Sequence, residues 1–177
     1  MNMQIRKAAA GLAFVVLACA VGARAQEERK SPHETANVTL GGQEITIAYG
    51  RPFIHSRKIM GGLVPYGKVW RTGADEATML TTPVDLNIGG TAVPAGKYTL
   101  WTLPSAEAWK LVINKETGQW GTKYDGKQDL ARVDMHQSHL DQPVDQFTIS
   151  WKKNGEHAAD LVLEWENTRV AVPVQTK

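Results

Sequence analysis

Arg51, Arg57, Arg71, Asp75 and Glu76 fall within one stretch of the chain, residues 49–78. The stretch also holds Tyr66 and Trp70 and shows neither the period of two of a strand nor the 3.6 of a helix. Guanidinium forks hold carboxylate, sulfate or phosphate through paired hydrogen bonds, so arginines gathered in a loop read as an anion clamp. Asp75 and Glu76 follow Gly73-Ala74, a turn that lets their side chains converge with Arg71 and orient a ligand or accept a proton. Tyr66 and Trp70 would supply a flat apolar wall. The same residues also admit a structural reading, a partly buried arginine–carboxylate network that fastens a long loop, because buried charge persists only when paired.

Other chemistry has less to stand on. His55 and Glu76 are the candidate bases, and with either of them Arg71 would stabilise an anion during hydrolysis or isomerisation. Residues 62–68 fit G-x-x-x-x-G-K, but Val69 follows where a nucleotide loop needs a hydroxyl. His136, His139 and Asp141 spell H-x-x-H-x-D without H-E-x-x-H, and on a strand two histidines three apart point to opposite faces. No metal or cofactor is assigned. There is no G-x-S-x-G, and the single cysteine, Cys19, precedes the expected mature chain.

The elements that must position these residues read as strands. Inward faces at period two recur over 44–49 (Ile45, Ile47, Tyr49), 109–115 (Trp109, Leu111, Ile113), 147–151, 161–165 and 170–174. Gly41-Gly42, Gly89-Gly90 and Asn154-Gly155 separate such runs, and Asn-Gly is the strongest two-residue hairpin signal because both turn positions need positive φ. Residues 97–103 are apolar on both faces, which predicts a central strand. Residues 119–138 read as a long polar connection. The expected fold is all-β, an antiparallel β-sandwich of jelly-roll-like or immunoglobulin-like kind, forming one domain over 36–175. Four of the six tryptophans, Trp101, Trp109, Trp151 and Trp165, lie in strand patterns and are expected in the core.

Residues 1–25 read as an export signal: Arg6 and Lys7, an apolar stretch over 8–21, then Ala23-Arg24-Ala25 before the cut. That stretch is shorter than the roughly 20 residues of a membrane span. A polar leader is expected over 26–35. The chain carries 20 Lys/Arg against 18 Asp/Glu, and losing Arg6, Lys7 and Arg24 leaves 17 bases against those 18 acids, net −1. No basic run remains to suggest nucleic acid. Periplasmic or secreted protein is the expected product. The residues 16–19, Val-Leu-Ala-Cys, allow the alternative of a lipid anchor on Cys19.

Taken in order, Tyr49-Gly50-Arg51-Pro52, Arg57, Leu63-Val64-Pro65-Tyr66-Gly67 and Val69-Trp70-Arg71-Thr72-Gly73-Ala74-Asp75-Glu76-Ala77-Thr78 form one signature. Pro94-Ala95-Gly96-Lys97-Tyr98-Thr99-Leu100 and Trp109-Lys110-Leu111-Val112-Ile113-Asn114-Lys115 continue it. The sequence thereby resembles the bacterial domain of unknown function 2911 family over about residues 36–174. The resemblance implies an exported, single-domain β protein and no particular activity. Asp75 stands where the family more often has Asn, and Met60 where it more often has Phe. The combined expectation is a protein that holds a small polar, anionic or carbohydrate-like ligand through 49–78. The alternatives are a hydrolase or isomerase, or a structural module of the cell envelope.

Overall fold

The computed structural model describes residues 31–176. The signal, Cys19 and the first part of the leader lie outside the described residues. Nine strands follow: β1 (His33–Leu40), β2 (Gln43–Gly50), β3 (Thr78–Thr82), β4 (Leu86–Ile88), β5 (Thr91–Val93), β6 (Gly96–Pro104), β7 (Trp109–Asn114), β8 (Asp129–Lys153) and β9 (Ala158–Thr176). They pair antiparallel in one sheet ordered β1-β2-β3-β6-β7-β8-β9-β4-β5. The only helical segment among the described residues is a 3₁₀ turn at Gly126–Gln128. None is long and apolar enough to cross a membrane.

Strand β8 turns this sheet into a sandwich. Its first part pairs with β7, and from His136 onward it pairs with β9. The two halves of the sheet then face each other, and Ile45, Ile47, Leu111 and Ile113 share one core with Phe147, Ile149, Leu163 and Val172. The Tyr49 hydroxyl stitches the layers: it accepts from Ile149 N–H at 2.9 Å and donates to Ile149 C=O at 3.3 Å. Burial holds the Tyr49 pKa above its ordinary value, against the opposing pull of the Ile149 hydrogen bond and Arg51. A pKa raised on folding gives stability that is complete below pH ~10 and lost as pH rises through the folded value. Tyr49→Phe is therefore expected to cost about 1–3 kcal/mol at pH 7, because it strands a buried N–H and C=O. Its stability should also fall less steeply than wild type above pH ~10. Urea melts at pH 7 and at alkaline pH check both.

As expected, β6 is central, between β3 and β7, with both faces covered. One face joins the main core. The other forms a second cluster of Trp101, Val112 and Ala77, with Val69, Leu103 and Tyr124 packed on it. Three expectations need correction. The leader ends sooner, because β1 begins at His33 and pairs it with Gly50. Residues 129–138 are not connection but the start of β8, where Ala131, Val133 and Met135 face the core and alternate with exposed Arg132, Asp134 and His136, an apolar run of three positions between polar flanks. Asn154-Gly155 does lie between β8 and β9, but pairing closes at Lys153↔Ala159, and neither turn residue has positive φ. A two-residue turn there would set Ile149 opposite Asp160. The observed register sets Ile149 opposite Leu163 and Trp151 opposite Leu161, so burial of the apolar face overrides the turn preference.

Candidate functional site

The segment between β2 and β3 is irregular but tied down at several points. Phe53 bridges Gln146 on β8, with Ile54 N–H on Asp145 C=O and Phe147 N–H on Pro52 C=O, both at 2.9 Å. Ile59 and Val64 are buried, and the Glu166 carboxylate accepts from Ile59 N–H (3.3 Å) and Met60 N–H (3.2 Å). Trp70 then bridges Thr102 on β6, and Glu76 bridges Trp120. Gly50 and Gly73 let the end of β2 run against the following turn. A Cβ on Gly50 would lie 2.3 Å from Ala74 O, and one on Gly73 2.9 Å from Gly50 O.

These ties leave a cleft of about 560 Å³ lined by Phe53, His55, Arg57, Leu63, Pro65, Val69, Trp70, Arg71, Asp75 and Trp165, together with Ser31 and Gly121. That is the size of a small-molecule site. Its walls mix aromatic and aliphatic residues with the polar Ser31, His55, Arg57, Arg71, Asp75 and Thr122. Arg71 makes one hydrogen bond among the described residues, Nε to Gly73 O at 3.2 Å, and no ion pair with any of them. Gly121 lies against it, since a Cβ there would come within 2.6 Å of Arg71 Cδ. Arg57 donates to Ile54 O and Phe53 O, capping its own turn. Asp75 is 6 % exposed, and its Oδ2 accepts from Ser31 N–H at 3.3 Å and stands 3.5 Å from His33 Nε2.

Strain gathers around the cleft. Of the five non-glycine residues with positive φ among the described residues, four lie in this segment: His55 (45°), Ser56 (57°), Thr72 (54°) and Asp75 (65°). A β-branched residue at positive φ is costly. Thr72 is held there by Thr78, whose hydroxyl donates to Thr72 O at 2.7 Å, and by its own hydroxyl on Thr102 Oγ1 at 3.2 Å. Backbone strain of this kind, over-determined by its surroundings, concentrates at ligand clamps and active sites.

The residues singled out from sequence divide into three groups. His55, Arg57, Trp70, Arg71 and Asp75 border one cleft. Trp70 does so mainly from beneath: it is 7 % exposed, stacked on Trp165 (centroids 5.9 Å, 22°) and edge-on to Phe147 and Trp109. Arg51 and Glu76 are elsewhere. Arg51 is the loop fastener, ion-paired with Glu34 and donating to Phe147 O (3.1 Å) and Thr148 Oγ1 (2.9 Å), so the arginine–carboxylate network forms around it and not around Arg71. Glu76 borders a separate depression with His33, Met79 and Gln119, its carboxylate 3.3 Å from His33 Nε2, and is not in the lining that Arg71 and His55 share. Tyr66 is exposed and lies outside the cleft lining. His136 and His139 stand on β8 opposite Ala171 and Thr168, three positions apart on a strand and so on opposite faces.

Sequence reading did not find Ser31, Phe53, Gly121 or Glu166. Ser31, Gly121 and Glu166 are remote from 49–78 in the chain. Phe53 lies inside the segment, but nothing in its residue type or spacing marks it. Trp165 was placed in the core by its strand pattern, which holds, but that pattern carries no sign that it also backs the cleft.

The chain matches the family described as "Protein of unknown function (DUF2911)" over residues 31–174. No curated protein and no solved structure matches the chain.

Proposed function

We propose that this chain, which belongs to the DUF2911 family, binds a small organic anion in the cleft between 52–75 and Trp165. The observation that carries this is Arg71, a guanidinium on the wall of a 560 Å³ cleft with no carboxylate partner among the described residues. Arg71 is half-buried at an open cleft, where a ligand anion can take its guanidinium through a bidentate hydrogen bond. Arg57 adds positive charge at the same cleft, while the accessible Phe53, Leu63 and Pro65 offer contact to an apolar part of the ligand. The export signal read from residues 1–25 supports a role outside the cytoplasm. A structural-module reading is less well supported, because fastening falls to Arg51 and Glu166.

The test is thermal denaturation of signal-free protein with sulfate, phosphate, glucuronate and 3-phenylpropionate. At least one should raise the wild-type melting temperature, and Arg71→Ala should abolish that rise. Without ligand, Arg71→Ala is expected to melt within about 2 °C of wild type, since no ion pair is broken. A panel that leaves wild type unmoved overturns the reading, as does a rise that survives in Arg71→Ala.

A further inference from the structure

The cleft holds a second unanswered charge. Asp75 is almost fully buried, yet its carboxylate is only half satisfied. Oδ2 has Ser31 N–H and His33 nearby, whereas Oδ1 accepts no hydrogen bond from any described residue. Oδ1 is not among the fully buried unpartnered atoms, so it remains open to a donor that enters from outside the protein. Asp75 also makes no ion pair with Arg71, although both line the same cleft and only four positions separate them. Opposite charges so close in sequence would ordinarily close on each other. The left-handed φ at Asp75, the close contact of Gly50 with Ala74, and Gly121 wedged between Arg71 Cδ and Asp75 O hold that part of the backbone fixed. The other ionisable groups near Asp75 are His33, Glu76 beyond it in the neighbouring depression, and His55 and Arg57 on the cleft wall.

A lone anion would satisfy Arg71 but leave Asp75 unanswered, and so would bind more weakly than a ligand that answers both. A lone cation would do the reverse. We infer that the cleft takes a zwitterion, an organic acid bearing an ammonium group beside its carboxylate on an apolar body, as in a free amino acid with a large side chain. Arg71 receives the carboxylate, Asp75 Oδ1 the ammonium, and the wall of Phe53, Leu63 and Pro65 the side chain. This inference rests on the anion-binding reading above and sharpens it.

The test compares three probes of one shape by calorimetry: L-phenylalanine, 3-phenylpropionate, which lacks the ammonium, and phenethylamine, which lacks the carboxylate. On wild type, L-phenylalanine should bind at least about tenfold more tightly than either of the others, the discrimination one charge-assisted hydrogen bond gives. Asp75→Asn should shrink its advantage over 3-phenylpropionate to about twofold or less while leaving 3-phenylpropionate binding intact or improved. If 3-phenylpropionate binds wild type as well as L-phenylalanine, the zwitterion inference falls and the anion reading stands. If phenethylamine binds best and Arg71→Ala does not weaken it, the anion reading falls too. Absence of binding by all three overturns the zwitterion inference, and the sulfate, phosphate and glucuronate melts then decide the anion reading by themselves. The wild-type comparison needs no variant to fold, so a misfolded Asp75→Asn protein does not shelter the inference.

Discussion

Trp165→Ala is expected to lower the unfolding free energy by about 3–5 kcal/mol, the cost of deleting a large buried aromatic and leaving its volume empty. At a few degrees per kcal/mol, that is roughly 10–15 °C in melting temperature for a domain of this size. Trp165 is 1 % exposed and central to an aromatic group: it stacks on Trp70 at 5.9 Å, tilts against Phe147 at 5.7 Å, and donates from Nε1 to Asp145 O at 3.2 Å. Trp70 and Phe147 each lean on further rings, Trp109 and Tyr49, so the cavity cannot collapse without moving both layers. Trp165→Phe keeps most of the packing and loses the Asp145 hydrogen bond, and should fall between alanine and wild type. Because Trp165 also backs the cleft, the alanine variant should lose ligand response even well below its melting temperature. Differential scanning calorimetry with and without the responding anion measures both effects. An alanine variant that melts within about 3 °C of wild type, under roughly 1 kcal/mol, would mean that this ring is not part of the core.

Gly50→Ala should be nearly as damaging, though it adds a single methyl group. That methyl would sit 2.3 Å from Ala74 O and 2.9 Å from Ala74 C. These are backbone atoms, held by the Thr72–Thr78 hydrogen bond and by Gly121 N–H on Asp75 O at 2.8 Å. They cannot rotate away as a side-chain tip could. Overpacking of this kind costs about 1–3 kcal/mol and sometimes more. We expect the upper part of that range, with the relaxation displacing the turn that carries Arg71 and Asp75. The measurement is the melt together with anion binding by titration: loss of both is expected. Gly155→Ala is the control, since its Cβ meets nothing within 4 Å and its φ is not positive. It should stay within about 0.5 kcal/mol of wild type. A Gly50→Ala protein as stable as the control and still binding would show that the close approach of β2 to the turn is not required.

Much of this protein is legible in one dimension. Period-two alternation puts Ile45, Ile47, Tyr49, Trp109, Leu111 and Ile113 inside, because a strand shows alternate residues to alternate faces and only one face meets the core. The apolar character of both faces over 97–103 foretells the central place of β6. The irregular, arginine-rich segment at 49–78 marks the region of the cleft, because a polar stretch without strand or helix period has to be held by side chains. What the sequence leaves open is which arginine does what. Arg51 and Arg71 are the same residue type in the same segment, yet Arg51 meets Glu34 and the β8 backbone while the one hydrogen bond of Arg71 among the described residues goes to Gly73 O. Asp75 and Glu76 are neighbours, yet they border different depressions. Likewise the strongest turn signal, Asn154-Gly155, yields to the burial of Leu161 and Leu163. These outcomes depend on contacts between residues as far apart as Arg51 and Phe147, or Met60 and Glu166. Only the folding of one sheet into two layers brings such pairs together, and local pattern carries no information about it.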